Sequence, residues 1–102
     1  MEKGDSRPFP GRGDCCVYLL RCKDGSLYCG WTDDLARRFG DHCRGRGARY
    51  TRGRGPLSLV YWESVPSRSE ALKRERRLKR LGKARKERLV QAFGRGREAD
   101  KT

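Results

Sequence analysis

Residues 16–32 read CVYLLRCKDGSLYCGWT, and the way this stretch folds back on itself decides the architecture. Two runs of branched and aromatic residues, CVYLLRC and SLYCGWT, flank Lys23-Asp24-Gly25. Such runs separated by a short Asp-Gly segment predict a β-hairpin. A two-residue Asp24-Gly25 loop would set Tyr18 opposite Trp31 and leave Tyr18 and Tyr28 on opposite faces. A three-residue Lys23-Asp24-Gly25 loop, with Gly25 in the left-handed conformation, pairs Cys22 with Ser26 and Tyr18 with Gly30. Tyr18, Leu20, Tyr28 and Gly30 then share one face. The three-residue loop is the expectation. A glycine across from a tyrosine leaves a hollow in which a ring or a substrate atom can approach the backbone.

Beyond the hairpin, TDDLARRFGDHC (32–43) reads as a helix capped by Thr32 or Asp33, whose acids suit the positive end of the helix dipole. At roughly 100° per residue, Leu35, Ala36, Phe39 and Cys43 form its apolar stripe. Arg38 and His42, four apart, stack along one edge of that stripe and look along the sheet surface. The next segment, RGRGARYTRGRGP (44–56), reads as a loop. LSLVYWE (57–63) is a third strand, beside the hairpin or in its centre. A helix from about Ser69 to Arg80 stops at Leu81-Gly82, and a second helix spans about Lys83 to Phe93. Residues 1–13 and 94–102 are rich in glycine and charge without periodicity, and are expected to be disordered tails around a domain at 14–93. The fold class expected is α+β, one three-stranded antiparallel sheet flanked by helices.

The chain has 102 residues and a net charge of +13. Residues 44–55 carry five Arg and no acid, and residues 67–88 carry eleven bases against three acids. These two segments hold the whole excess, which is the electrostatic footprint of a polyanion binder. In the first, Arg44, Arg46, Arg49, Arg52 and Arg54 alternate with small residues around Tyr50. Arginine forks suit phosphate, and one aromatic offers a stacking face for a base. In the second, Lys73 and Arg76 are the bases expected to meet nucleic acid. No apolar run approaches the ~18 residues of a membrane span, and the N-terminus lacks a signal-peptide core, which points to the cytoplasm and reduced thiols. The five cysteines (15, 16, 22, 29 and 43) form no C-x-x-C pair and read as small apolar residues. A zinc site built on Cys43 and His42 has the wrong spacing.

Between Lys73 and Arg80 the sequence is Lys, Arg or Leu at every position except Glu75. On a helix Ala71, Leu72 and Leu78 span an inward arc, and Glu75 falls inside it. A carboxylate on an inward face is costly unless it is paired or holds a metal. Two outcomes follow from the residues alone. Glu75 either pairs with Arg38 and staples helix to helix, or binds magnesium, which needs only one or two protein carboxylates.

Cys16-Val17-Tyr18 and Tyr28-Cys29-Gly30 resemble the paired motifs of GIY-YIG nucleases, followed by Arg38, His42 and, on a later helix, Glu75. The resemblance covers about residues 15–92 and is closest to small bacterial members that consist of this domain and little else. Cys16, Val17 and Cys29 depart from the family lettering, and no Asn exists to match one found late in some members. The resemblance implies phosphodiester hydrolysis of DNA, with RNA as another possible substrate, at one Mg²⁺ (or Mn²⁺) held by Glu75. It implies that Arg38 neutralises phosphate charge and that Tyr18 orients or deprotonates water, supported by Tyr28. His42, the one histidine, is the base or the hydrogen-bond partner of Tyr18. A role in DNA repair or recombination follows by the same analogy, and a protein partner for targeting is compatible with it. The rival reading is a nucleic-acid-binding module with a weak or partner-dependent catalytic site.

Overall fold

The hairpin closes through the three-residue loop. A computed structural model describes residues 9–99, and in it Tyr18 lies opposite Gly30 and Leu20 opposite Tyr28. The Cys22 N–H donates to the Ser26 carbonyl at 2.9 Å, and Gly25 takes φ +85°. That left-handed turn residue is what a hairpin of this length needs. The Gly25 carbonyl accepts from Lys83 at 2.8 Å, so the turn also anchors the last helix.

The strands are β1 (Cys16–Arg21), β2 (Leu27–Thr32) and β3 (Ser58–Ser64), in the spatial order β2-β1-β3 and antiparallel throughout. β1 is therefore central and β3 is an edge, which settles the position left open by sequence. The β1–β3 register shifts between Leu19 and Leu20, where Val60 is the extra residue. Helices α1 (Leu35–Cys43), α2 (Arg68–Arg80) and α3 (Lys83–Ala99) complete the α+β layers.

Alternation along the strands gives the sheet two buried faces. Cys16, Tyr18, Leu20 and Trp62 face Leu35 and Phe39 of α1 and Phe93 of α3. Val17, Leu19 and Cys29 face Ala71 and Leu78 of α2. Burial pushes the Cys16 thiol up to about 12, helped by its neighbours Cys15 and Asp14, and the Cys29 thiol up to about 11. Both stay protonated and serve as small apolar residues, as the sequence suggested.

Local chemistry sets the helix ends. α1 is capped one or two residues later than expected: the Asp34 carboxylate accepts from the Arg37 N–H, a cap typically contributing about 1 kcal/mol. α2 begins one residue earlier than expected because the Ser67 hydroxyl accepts from Glu70 N–H. α3 runs past the boundary expected at Phe93, since isolated glycines such as Gly94 are tolerated inside a helix. Residues 1–8 and 100–102, the outer parts of the two expected tails, lie outside the described residues. Phe9, at the start of the described chain, places its ring 5.0 Å from Trp62. No helix among the described residues is long and apolar enough to cross a membrane.

Two expectations about helix faces are corrected. In α1, Ala36 and Cys43 are exposed, and the inward stripe is Leu35, Phe39 and His42. In α2, Leu72 is 40% exposed, whereas Arg74 turns toward β3 and donates to both Glu63 oxygens, at 3.2 and 2.9 Å.

Candidate active site

Tyr18 stands in the middle of the central strand and is 1% exposed. Its ring fills the hollow left by the glycine opposite. A Cβ on Gly30 would lie 2.6 Å from the phenol oxygen and 2.8 Å from Cζ. From α1, His42 comes down on the same oxygen, with Nε2 2.8 Å from Tyr18 Oη. His42 is itself 1% exposed, and its other nitrogen, Nδ1, lies 2.9 Å from Thr51 Oγ1. Both ring nitrogens are thus engaged and Cys43 is exposed, so the zinc site considered from sequence is not formed.

Tyr28 completes an aromatic group above the sheet. Its ring centroid is 6.4 Å from that of Tyr18, 5.2 Å from that of His42 and 6.0 Å from that of Tyr50, with which it stacks. Arg54 places its guanidinium 4.2 Å from the Tyr50 ring centre and pairs with Asp24 at 2.8 Å. The expected base-stacking face of Tyr50 is therefore already engaged by Tyr28 and Arg54, although Tyr50 remains 41% exposed.

Electrostatics join these groups to Arg38 and Glu75. Burial raises the pKa of Tyr18 well above that of a free phenol, with Tyr28 adding to the rise; Arg38, a hydrogen-bonding and charged neighbour, opposes it. Burial lowers the pKa of His42, and Arg38 lowers it further against a small opposing effect of Asp41. Tyr18 is therefore a neutral phenol and His42 a neutral imidazole in the resting protein. Burial also raises Tyr28, which Lys79 and Arg38 pull down and Glu75 pushes up.

Glu75 reaches the group from the other layer. α2 covers the opposite face of the sheet, and the Glu75 carbonyl oxygen lies 3.9 Å from Cys29 Sγ. The Glu75 carboxylate is 18% exposed and pairs with Lys79 at 3.5 Å, while its charge acts on Tyr28 across the edge strand β2. No Glu75–Arg38 ion pair forms among the described residues, so the helix staple anticipated as one outcome is replaced by a bridge within α2. Arg44, Arg46, Arg49 and Arg52 are exposed on the basic loop, and Lys73 and Arg76 on α2.

Sequence reasoning missed Thr51 and Gly47. Thr51 is 2% exposed, and its hydroxyl donates to the Ala48 carbonyl at 2.9 Å. The Gly47 backbone lies against the His42 ring so closely that a Cβ would overlap Nδ1 and stand 2.6 Å from Cγ. Both residues belong to the arginine-rich loop, where charge dominates the sequence pattern. A threonine with no charge and no periodicity around it offered no signal.

Residues 14–88 match the model of the GIY-YIG catalytic domain. The chain belongs to the GIY-YIG family. GIY-YIG proteins are a nuclease family and generally act with a divalent metal. Among proteins similar to this GIY-YIG chain, a UPF0213 protein of Halalkalibacterium halodurans is 50% identical over 78 residues, covering 76% of this chain and 83% of the relative. A UPF0213 protein of Cronobacter sakazakii is 54% identical over 74 residues, covering 72% and 78%. The solution structure of a UPF0213 protein from Bacillus halodurans superposes with TM-score 0.51 at 48% identity, over 78% of this chain and 84% of that one. A second solution structure, of a protein from E. faecalis, gives TM-score 0.58 at 35% identity over 84% and 92%.

The residues present fit a divalent ion held by few protein ligands. Among the described residues no three His, Cys, Asp or Glu side chains gather into a protein cage. Glu75 is a partly exposed carboxylate with one flexible lysine as its partner, itself 55% exposed. A single carboxylate completed by waters and substrate phosphate is how magnesium is commonly held.

Proposed function

We propose that this chain is a metal-dependent endonuclease that hydrolyses DNA phosphodiester bonds, with Mg²⁺ as the ion and Mn²⁺ as a substitute, in DNA repair or recombination. The observation carrying this reading is the 2.8 Å contact between the Tyr18 phenol and His42, on a group that Arg38 and Glu75 both act upon.

The phenol is neutral, so it accepts a proton from water only as its own proton leaves. His42 Nε2 is the acceptor within hydrogen-bond reach. In the step proposed, the water oxygen bonds phosphorus and the phosphorus–ester-oxygen bond breaks. The water proton passes to Tyr18 Oη while the Tyr18 proton passes to His42, which becomes imidazolium. Arg38 beside the phenol sets a fixed positive charge where the non-bridging oxygens gain negative charge. Glu75 would hold the ion, which polarises the phosphate and steadies the leaving oxygen when bound. Tyr28 bounds the site, its ring set beside those of Tyr18 and His42.

A screen of linear, branched, flapped and single-stranded DNA, with RNA alongside, tests the reading in Mg²⁺, Mn²⁺ and EDTA. Cleavage in either metal but not in EDTA is expected. Tyr18→Phe keeps the ring over Gly30 and removes the proton path, so kcat should fall about 10²–10⁴-fold in a protein that still unfolds cooperatively. Undiminished cleavage by Tyr18→Phe would remove Tyr18 from the chemistry.

The two basic segments and the absence of any Asn in the chain favour one rival, a binding module without turnover. Both readings expect salt-sensitive binding. Log K should fall linearly with log salt, with a slope near −0.9 for each phosphate neutralised. Arg46→Ala and Arg52→Ala should each flatten that slope by about one contact, measured by fluorescence anisotropy. The rival is selected if binding follows this pattern and no nucleic acid is cut in either metal.

A further inference from the structure

The direction of the proton path depends on which nitrogen of His42 carries the hydrogen, and the basic loop determines it. A neutral imidazole donates from one nitrogen and accepts at the other. The Thr51 hydroxyl has one hydrogen, and the Ala48 carbonyl, an obligate acceptor 2.9 Å away, takes it. Thr51 Oγ1 must therefore accept from His42, which places the hydrogen on Nδ1. Nε2 is left with a free lone pair aimed at Tyr18 Oη, and the phenol donates to it. The chain runs in one direction, from Tyr18 O–H to His42 Nε2, from Nδ1–H to Thr51, and from Thr51 O–H to Ala48.

Gly47 packs closely on the imidazole: a Cβ there would overlap Nδ1 and stand 2.6 Å from Cγ and 2.8 Å from Cε1. The side chains of both His42 and Thr51 are buried, so water does not compete for the Nδ1–H. Residues 49–51 form a single 3₁₀ turn, closed by the Thr51 N–H donating to the Ala48 carbonyl at 3.1 Å. The same turn carries exposed Arg49 and stacks Tyr50 on Tyr28.

We propose that Thr51 is a positioning residue, seated by Gly47, that fixes His42 as its Nδ1–H tautomer and thereby makes Nε2 the proton acceptor for Tyr18. The inner side of the arginine-rich loop thus sets the base, while its outer side meets the nucleic acid. Assigning consequences for turnover rests on the nuclease reading above; the tautomer itself does not.

The imidazole nitrogens of ¹⁵N-labelled protein, with one histidine in the chain, report the tautomer directly in the absence of metal and nucleic acid. At neutral pH the wild type should show a protonated Nδ1 and an unprotonated, hydrogen-bonded Nε2. Thr51→Val keeps the shape and removes the acceptor, so the signal should move to the Nε2–H form or to a mixture. Thr51→Ser, which keeps the hydroxyl, should restore the wild-type pattern. Where cleavage is measurable, Thr51→Val should lower kcat about tenfold or more with KM little changed, and Thr51→Ser should recover most of the rate. A wild-type Nε2–H or imidazolium form would overturn the proposal, as would a Thr51→Val tautomer identical to wild type. Absence of cleavage in every protein, with the expected tautomers present, would instead overturn the nuclease reading and leave the positioning role standing.

Discussion

Glu75→Gln is expected to lower kcat by about a thousandfold or more while leaving nucleic-acid affinity nearly intact. The substitution keeps the size and shape of the side chain and removes the charge that would hold the ion. Losing Lewis-acid stabilisation of the phosphate costs several kcal/mol in the transition state, roughly the free energy of a thousandfold change in rate. Folding should change little. The carboxylate is 18% exposed, and its partner Lys79 is a flexible surface lysine, a type of pair that typically contributes about 0–1 kcal/mol. Affinity should hold or rise slightly, because one negative charge leaves a surface dominated by positive charge. Titration with Mn²⁺, followed by electron paramagnetic resonance, should show the high-affinity site lost in Glu75→Gln and retained in Tyr18→Phe. Cleavage by Glu75→Gln within tenfold of wild type would show that the ion is held elsewhere. This pair of variants separates loss of the ion from loss of the proton path, which activity alone cannot do.

The hairpin was legible in the sequence because a strand has a period of two. Once Lys23-Asp24-Gly25 is taken as the loop, every pairing from Arg21–Leu27 to Cys16–Thr32 is determined, and Tyr18 must face Gly30. The same periodic reasoning failed on α1 for a chemical reason. Counting apolar residues put Cys43 inside and His42 at the edge. The protein instead buries His42, because both its nitrogens find partners and Cys43 has no such claim on the interior. The Tyr18 partner followed from the family resemblance and not from the helix pattern, whereas Thr51, nine residues after His42 in a short 3₁₀ turn, carried no signal. On α2 the inward arc correctly contained Glu75, yet the sheet layer it faced could not be deduced from a helical wheel. Glu75 lies beside Cys29 and Tyr18 faces the other layer, and the charge of Glu75 acts on Tyr28 of β2. Arg74 illustrates the limit of charge counting. Its charge alone would place it in solvent, but the bidentate contact with Glu63 draws it against β3, where burial and that carboxylate push the neighbouring Tyr61 phenol up to about 12.

Gly30→Ala is the substitution expected to cost the fold most for the fewest atoms. The added Cβ would stand 2.6 Å from Tyr18 Oη, 2.8 Å from Tyr18 Cζ and 3.1 Å from Tyr28 Cε2. The Tyr18 ring cannot yield cheaply. It is 1% exposed, and moving its oxygen breaks the 2.8 Å bond to His42, leaving a buried donor and a buried acceptor unsatisfied. The alternative is to displace β2 from the central strand, which disturbs a register shared by six residue pairs. Overpacking of this kind typically costs about 1–3 kcal/mol, and a lost buried hydrogen bond about one more. For a domain of this size that is a fall in Tm on the order of 10–20 °C. Gly94→Ala is the control, because it places the same methyl in a helix where nothing lies within 4 Å, and it should raise stability by roughly 0.5–1 kcal/mol. Adding Tyr18→Phe to Gly30→Ala removes the closest clash and should recover part of the loss, a non-additive effect readable in urea unfolding. If Gly30→Ala unfolds at the wild-type midpoint, the phenol does not lie over residue 30. The contact between Tyr18 and His42, built on that placement, would then have to be abandoned as well.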